Sequence, residues 1–177
     1  SAAFASCTSL DRVAVNGFVG EIDSRTFYKC SALRHIHLPM SVKKIGTKAF
    51  QECSALQNIS LPVSLQSIGD DAFEKCSSLT EIKLPVAVTS IGSDAFLECT
   101  MLASAELPVS LKKIGGSAFA KCLSLRNVTL NSPTPPSISG STFKSVLSCT
   151  FWIPKGTMSL YTANKSWQKI ITLKEKP

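Results

Sequence analysis

Apolar positions return along this chain at a fixed interval of 23 residues. Phe4, Phe27, Phe50, Phe73, Phe96 and Phe119 mark the period, and a cysteine stands three positions after each, at Cys7, Cys30, Cys53, Cys76, Cys99 and Cys122. A fixed period between about 20 and 50 residues is the signature of a solenoid, in which each repeat buries its apolar face only against its neighbours.

Within the period a second pattern reads L-x-x-I-x-L. Leu33, Ile36 and Leu38 are followed by Leu56, Ile59 and Leu61, by Leu79, Ile82 and Leu84, by Leu102, Ala105 and Leu107, and by Leu125, Val128 and Leu130. Its last part alternates with period two, which predicts a short strand with Ile36 and Leu38 inward and His35 and His37 outward. Pro39, Pro62, Pro85 and Pro108 come next, where a residue without an amide hydrogen suits a strand end. A further apolar pair (Val42 and Ile45, Leu65 and Ile68, Val88 and Ile91, Leu111 and Ile114) is closed by Gly46, Gly69, Gly92 or Gly115. Glycine at a fixed place predicts either a turn with positive φ or a close backbone approach. Asp23 holds that place in the first full repeat, and Asp tolerates the left-handed region. Residues 49–53 carry apolar side chains three apart, as one helical or 3₁₀ turn facing the core would. The phenylalanines are expected to stack as a spine.

The string I-G-x-x-A-F-x-x-C-x-x-L-x-x-I-x-L-P resembles the BspA-like branch of the leucine-rich repeats, over about residues 1–130, with complete periods starting at Leu10, Leu33, Leu56, Leu79 and Leu102. The resemblance implies an α/β, right-handed leucine-rich-repeat solenoid of parallel strands with short helical or 3₁₀ turns. It also implies secreted or cell-surface proteins, several of which bind host matrix proteins or other cells, and no enzymatic activity. The chain opens inside a repeat at Phe4 and Cys7, so an upstream half-repeat or cap is expected to precede it in a longer protein. After Leu130 a proline-rich run at 131–136 interrupts the array, Phe143 falls one residue late, and Val146 stands where a cysteine would be. The sequence at Phe151, Trp152 and Ile153 restores the strand register and is followed by Tyr161, Trp167 and Ile170. Two parts are therefore expected: a repeat array at 1–130, and a modified terminal repeat with an amphipathic closing cap at 131–177.

Composition narrows the function classes. With 44% hydrophobic and 18% charged residues, the chain is a folded protein, and no run of 18 apolar residues suggests a membrane span. The net charge is +7, of which +5 lies from Ser141 onward; the interleaved neutral residues there read as a solvated face, so no nucleic-acid partner is expected.

Seven cysteines in an extracellular protein ordinarily suggest disulfides. Side chains stacked in parallel on neighbouring strands, however, hold their Cβ atoms farther apart than the roughly 3.8 Å a disulfide prefers, and a straight ladder cannot surround a tetrahedral metal. Buried, reduced thiols are expected, with Cys149, outside the ladder, the most reactive. His35 and His37 find no further ligands in neighbouring columns, so no metal or cofactor is assigned. Glu81 and Glu106 fall at diagonal positions on adjacent strands, with Lys83 directly beside Glu106, which makes a surface charge pair of what a hydrolase reading takes as paired carboxylates. Three glycosylation sequons, at Asn58, Asn127 and Asn164, matter only in a secreted eukaryotic protein.

What remains is the outward strand face. Its columns read Arg12, His35, Asn58, Glu81, Ser104, Asn127, Thr150 and Ala14, His37, Ser60, Lys83, Glu106, Thr129, Trp152, varying at every step while the core columns do not. Varied polar groups on a solenoid suit recognition of an extended protein or glycan partner, with Trp152 as a candidate hot spot. The alternative is a structural spacer or stalk within a longer surface protein.

Overall fold

The structure, a computed structural model, describes residues 2–170 and 172–177. Each 23-residue period makes one coil of a solenoid, and every strand pair among the described residues is parallel. The strands foreseen at the L-x-x-I-x-L segment form at Arg12–Ala14 and His35–His37, which pair with each other, and at Glu81–Lys83, Ser104–Leu107, Asn127–Leu130 and Thr150–Ile153. Register is that of the 23-residue period throughout, with Val13 beside Ile36, Ile82 beside Ala105 and Val128 beside Phe151.

One rung departs. Residues 58–61 form no strand and make no backbone hydrogen bond to either neighbouring rung, so the ladder splits into a two-stranded and a five-stranded sheet. Ile59 and Leu61 are correspondingly half-buried, whereas Ile36, Leu38, Ile82 and Leu84 are buried.

The apolar pair after each proline builds a second parallel ladder, of Glu21–Ile22, Lys44–Ile45, Ser67–Ile68, Ser90–Ile91 and Lys113–Ile114. Turns closed from Val42 N–H to the Pro39 carbonyl and from Val88 N–H to the Pro85 carbonyl lead into it. The glycines that end it do not take positive φ, and neither does Asp23. Their role is the close approach: a Cβ on Gly92 would lie 2.5 Å from the backbone of Gly69 and Asp70, and one on Gly115 2.4 Å from that of Gly92. Because the obstructing atoms are backbone within a hydrogen-bonded stack, the rungs would have to part. Gly92→Ala is accordingly expected to cost about 1–3 kcal/mol in urea unfolding, and a neutral outcome would show that the coils separate freely.

The left-handed residues lie elsewhere, in two columns that no glycine marks. Arg25, Lys48, Asp71, Asp94 and Ser117 form one, and Lys29, Glu52, Lys75, Glu98 and Lys121 the other, all with φ between 53° and 62°. The segment between them has the i-to-i+3 bonds expected of a 3₁₀ turn, as from Cys53 N–H to the Phe50 carbonyl, but it is a series of turns rather than a continuous helix. Its alternate N–H groups point along the stack instead. Lys48, Phe50 and Glu52 donate to the carbonyls of Asp70, Ala72 and Glu74 on the next rung. These bonds make a third ladder and offset the roughly 1–2 kcal/mol that each left-handed residue costs.

Side chains from all three ladders fill the interior. The rings of Phe4, Phe27, Phe50, Phe73, Phe96 and Phe119 stack with centroids 5.1–5.4 Å apart and planes within 10° of parallel. Phe143, although one residue late, extends the spine at 5.5 Å from Phe119. There the stack ends, with Phe151 meeting Phe143 edge-on at 4.8 Å. The closing segment folds as a helix at Met158–Ala163, a 3₁₀ helix at Trp167–Lys169 and a last strand, Leu173–Glu175, beside Thr150–Ile153. Tyr161 and Trp167 are fully buried and donate to the carbonyls of Ser132 and Pro136, each at 2.8 Å, which ties the proline-rich run to the cap.

Candidate recognition face

The strand face is built by alternation: buried Ile36 lies between exposed His35 and His37, and Ile82 between exposed Glu81 and Lys83. Arg12 stands beside His35 and Ala14 beside His37, giving the first rungs a basic character. Asp11, at the rim, pairs with Arg34 at 3.2 Å and Arg12 at 3.6 Å. Asn58 and Ser60 line a shallow groove of about 340 Å³ with the two histidines.

Beyond the broken rung the charges are arranged differently. Lys83 pairs with Glu106 at 2.9 Å, in the register expected from the sequence. Glu106 also accepts from Asn131 at 3.5 Å, and Lys176 donates to Asn131. Glu81 stands beside Ser104 and, among the described residues, has no ion-pair partner. Asn127 and Thr129 lie beside Thr150 and Trp152. Trp152 is half-buried: its indole N–H donates to Asn127 at 3.2 Å, and the Lys174 ammonium sits 5.8 Å from its ring. Tyr161 and Trp167 are in the core and do not roof it; Lys174 reaches it from the last strand.

Four exposed apolar residues border this face: Met40, Val63, Val86 and Val109, each directly after a rung-ending proline and 55–71% exposed. Val63, Val86 and Val109 line a mostly apolar groove of about 840 Å³, which also includes the polar side chains of Asn58, Ser60, Glu81 and Lys83. Sequence reasoning passed over this column because it reads the period for buried positions. The signal was nevertheless present, as an apolar residue at one fixed place where a turn corner ordinarily carries a polar one.

The thiol ladder has its own chemistry. Cys30, Cys53, Cys76, Cys99 and Cys122 are buried and unbridged, as the parallel stacking requires. Each Sγ–H donates to the phenylalanine carbonyl of the preceding rung, as from Cys53 to Phe27 at 3.1 Å. A small, weakly polar donor fits there without the desolvation cost of a hydroxyl. Burial pushes the Cys53 and Cys122 thiols up to about 12, and Cys76 and Cys99 well above their ordinary value.

Cys149 corrects the sequence reading. It is buried, and burial raises it to about 11, while Cys7 is the exposed thiol. A thiol reagent at neutral pH is expected to modify Cys7 at once and Cys149 only after denaturation; equal rates at the two would contradict this packing. The shifts also carry a pH dependence. Unfolded thiols ionise near 9 and the folded ladder only toward 12, so the unfolded state binds fewer protons in that window. Stability is full below about pH 9 and falls as pH rises above it.

The family model for the BspA type leucine rich repeat region matches residues 1–102 in 6 copies. A leucine-rich-repeat protein of T. pallidum is 33% identical, with 81% of this chain and 69% of that one covered and a TM-score of 0.71. A leucine-rich-repeat protein of Bacteroides ovatus is 26% identical, covering 86% of this chain and 57% of its own at a TM-score of 0.55. The pneumococcal vaccine antigen PcpA is 25% identical, covering 87% and 39%, with a TM-score of 0.73. No functionally curated protein matches.

Proposed function

Because the chain belongs to the BspA-type leucine-rich-repeat family, we propose that it is a non-enzymatic recognition protein, secreted or held at a cell surface, that binds a protein or glycan partner through its strand face. One observation carries this reading: core columns repeat almost without change, while the outward columns differ at every rung. A scaffold constrained only to fold has no use for an outward face that places Arg12, His35 and His37 at one end, Glu81 and the Lys83–Glu106 pair in the middle and Trp152 at the other. Similarity to a bacterial vaccine antigen supports the surface location, and no described helix is long and apolar enough to cross a membrane. Family and fold support the absence of catalysis, and the pairing of Glu106 with Lys83 removes one of the two carboxylates a hydrolase would need free.

The test presents immobilised protein to matrix proteins, glycans and whole cells. Saturable binding to one class, weakened by Trp152→Ala and by the pair His35→Ala and His37→Ala, is the expected result. Absence of saturable binding to all three would contradict the proposal.

A further inference from the structure

We propose that the stripe of Met40, Val63, Val86 and Val109, with the groove beside it, is the docking site for an amphipathic α-helix of a partner protein lying along the solenoid axis. The inference rests on reading the strand face as a recognition surface, and it names the form of what is recognised.

Spacing carries the argument. Successive rungs are separated by about 4.8 Å in a strand ladder and by 5.1–5.4 Å in the phenylalanine stack of the full repeats. An α-helix advances about 5.4 Å per turn, so one apolar side chain per turn stays in step with one valine per rung. An extended segment running the same way places same-face residues about 6.6–6.8 Å apart and drifts by most of a rung over the stripe. The stripe is therefore commensurate with a helix of about 15 residues whose apolar positions recur at every third or fourth place.

Shape and charge agree with that occupant. The groove of about 840 Å³ is mostly apolar, lined by the three valines with Leu61 and Leu84 and by a few polar groups among them, and it includes residues 58–61, where the rung is not drawn into the ladder and Ile59 and Leu61 remain half-buried. Among the described residues, its one acidic group without an ion-pair partner is Glu81, since Glu106 is held by Lys83. A helix with its apolar face on the valines sets a flanking lysine or arginine against Glu81. Apolar residues at this exposure, repeated in line over four rungs, are the kind of patch that marks an interaction site.

Two displayed peptide libraries test the proposal. In one, leucines recur with helical spacing and the flanks vary; in the other, the same leucines alternate with period two. Enrichment is expected from the first library only, with selected peptides rich in basic flanks and gaining helical circular dichroism when bound. Val86→Asp and, separately, Val63→Asp are expected to weaken them by about tenfold or more, and Glu81→Lys by about threefold, with affinity recovered when the flanking base is replaced by an acid. Both valines are exposed at turn corners, and thermal melts of the variants verify the fold. Enrichment of the alternating library, enrichment of neither, or selected peptides indifferent to both valine changes would overturn the proposal. If a natural ligand binds and is weakened by Trp152→Ala but not by Val86→Asp, the strand-face reading stands and the helix site falls; if no natural ligand binds while helical peptides do, the reverse holds.

Discussion

Replacing Phe73 by alanine is expected to lower the unfolding free energy by about 3–5 kcal/mol, among the largest losses any single truncation in the array would cause. Phe73 is fully buried and stacks on Phe50 at 5.2 Å and on Phe96 at 5.3 Å. Its neighbours are held by backbone ladders on both sides, as through the Phe50 N–H bond to Ala72 and the Phe73 N–H bond to Ala95. The rungs cannot close over the gap without breaking those bonds, so cavity cost adds to lost burial. A solenoid passes stability only between neighbouring repeats, and a weak rung at the centre divides the cooperative unit. Urea unfolding followed by circular dichroism should therefore show a lower midpoint together with a shallower slope. A loss below about 1 kcal/mol would mean that the spine is loosely packed.

Trp167→Ala is expected to cost a similar amount, about 3–5 kcal/mol, but to spend it at one end of the molecule. The indole is fully buried, packs edge-on against Tyr161 at 5.2 Å and Phe151 at 6.1 Å, and lies 6.2 Å from Phe143, the last ring of the spine. Its truncation also strips the Pro136 carbonyl of its donor. Hydrogen exchange is expected to lose protection in residues 131–177 before the array responds. Trp167→Phe, which keeps an aromatic ring but loses the hydrogen bond and part of the indole's buried volume, should recover only part of the loss. Uniform loss of protection along the chain would show that the cap and the array unfold as one unit.

These two residues illustrate how unevenly the sequence reveals the structure. Phe73 is legible because its role repeats: six rings at one interval admit no other arrangement than a stack. The first strand ladder is legible for the same reason, as is the pairing of Lys83 with Glu106. Trp167 repeats nothing, and its burial depends on how the proline-rich run at 131–136 turns back to meet it, a tertiary matter that no period encodes. The left-handed columns escape notice because mostly charged residues, and no glycine, occupy them. There the gain of inter-rung hydrogen bonds outweighs a local cost that sequence propensity alone would count as prohibitive. Glycine, in turn, marks either a turn at positive φ or a close backbone approach, and the structure selects the second: at Gly92 the backbone of the preceding rung excludes a side chain at an ordinary φ.

Cys149 was misjudged by the same reasoning that succeeded for the ladder. Leaving the period suggested exposure, yet the terminal strand at Thr150–Ile153 carries its neighbour into the core. The candidate face was legible in which residues point outward. What the sequence did not show is that residues 58–61 interrupt it and that an apolar stripe runs along its border.

The measurement that bears most directly on the face as the seat of recognition pairs two readings on Trp152→Ala: its denaturant midpoint, and its affinity for whichever matrix protein, glycan or cell binds the wild-type chain. Trp152 is half-buried on the face and held by Asn127 and Lys174 rather than by the core. The expected result is a midpoint close to that of the wild type with binding weaker by about 1–3 kcal/mol. A large fall in midpoint, or an unchanged affinity, would contradict the account.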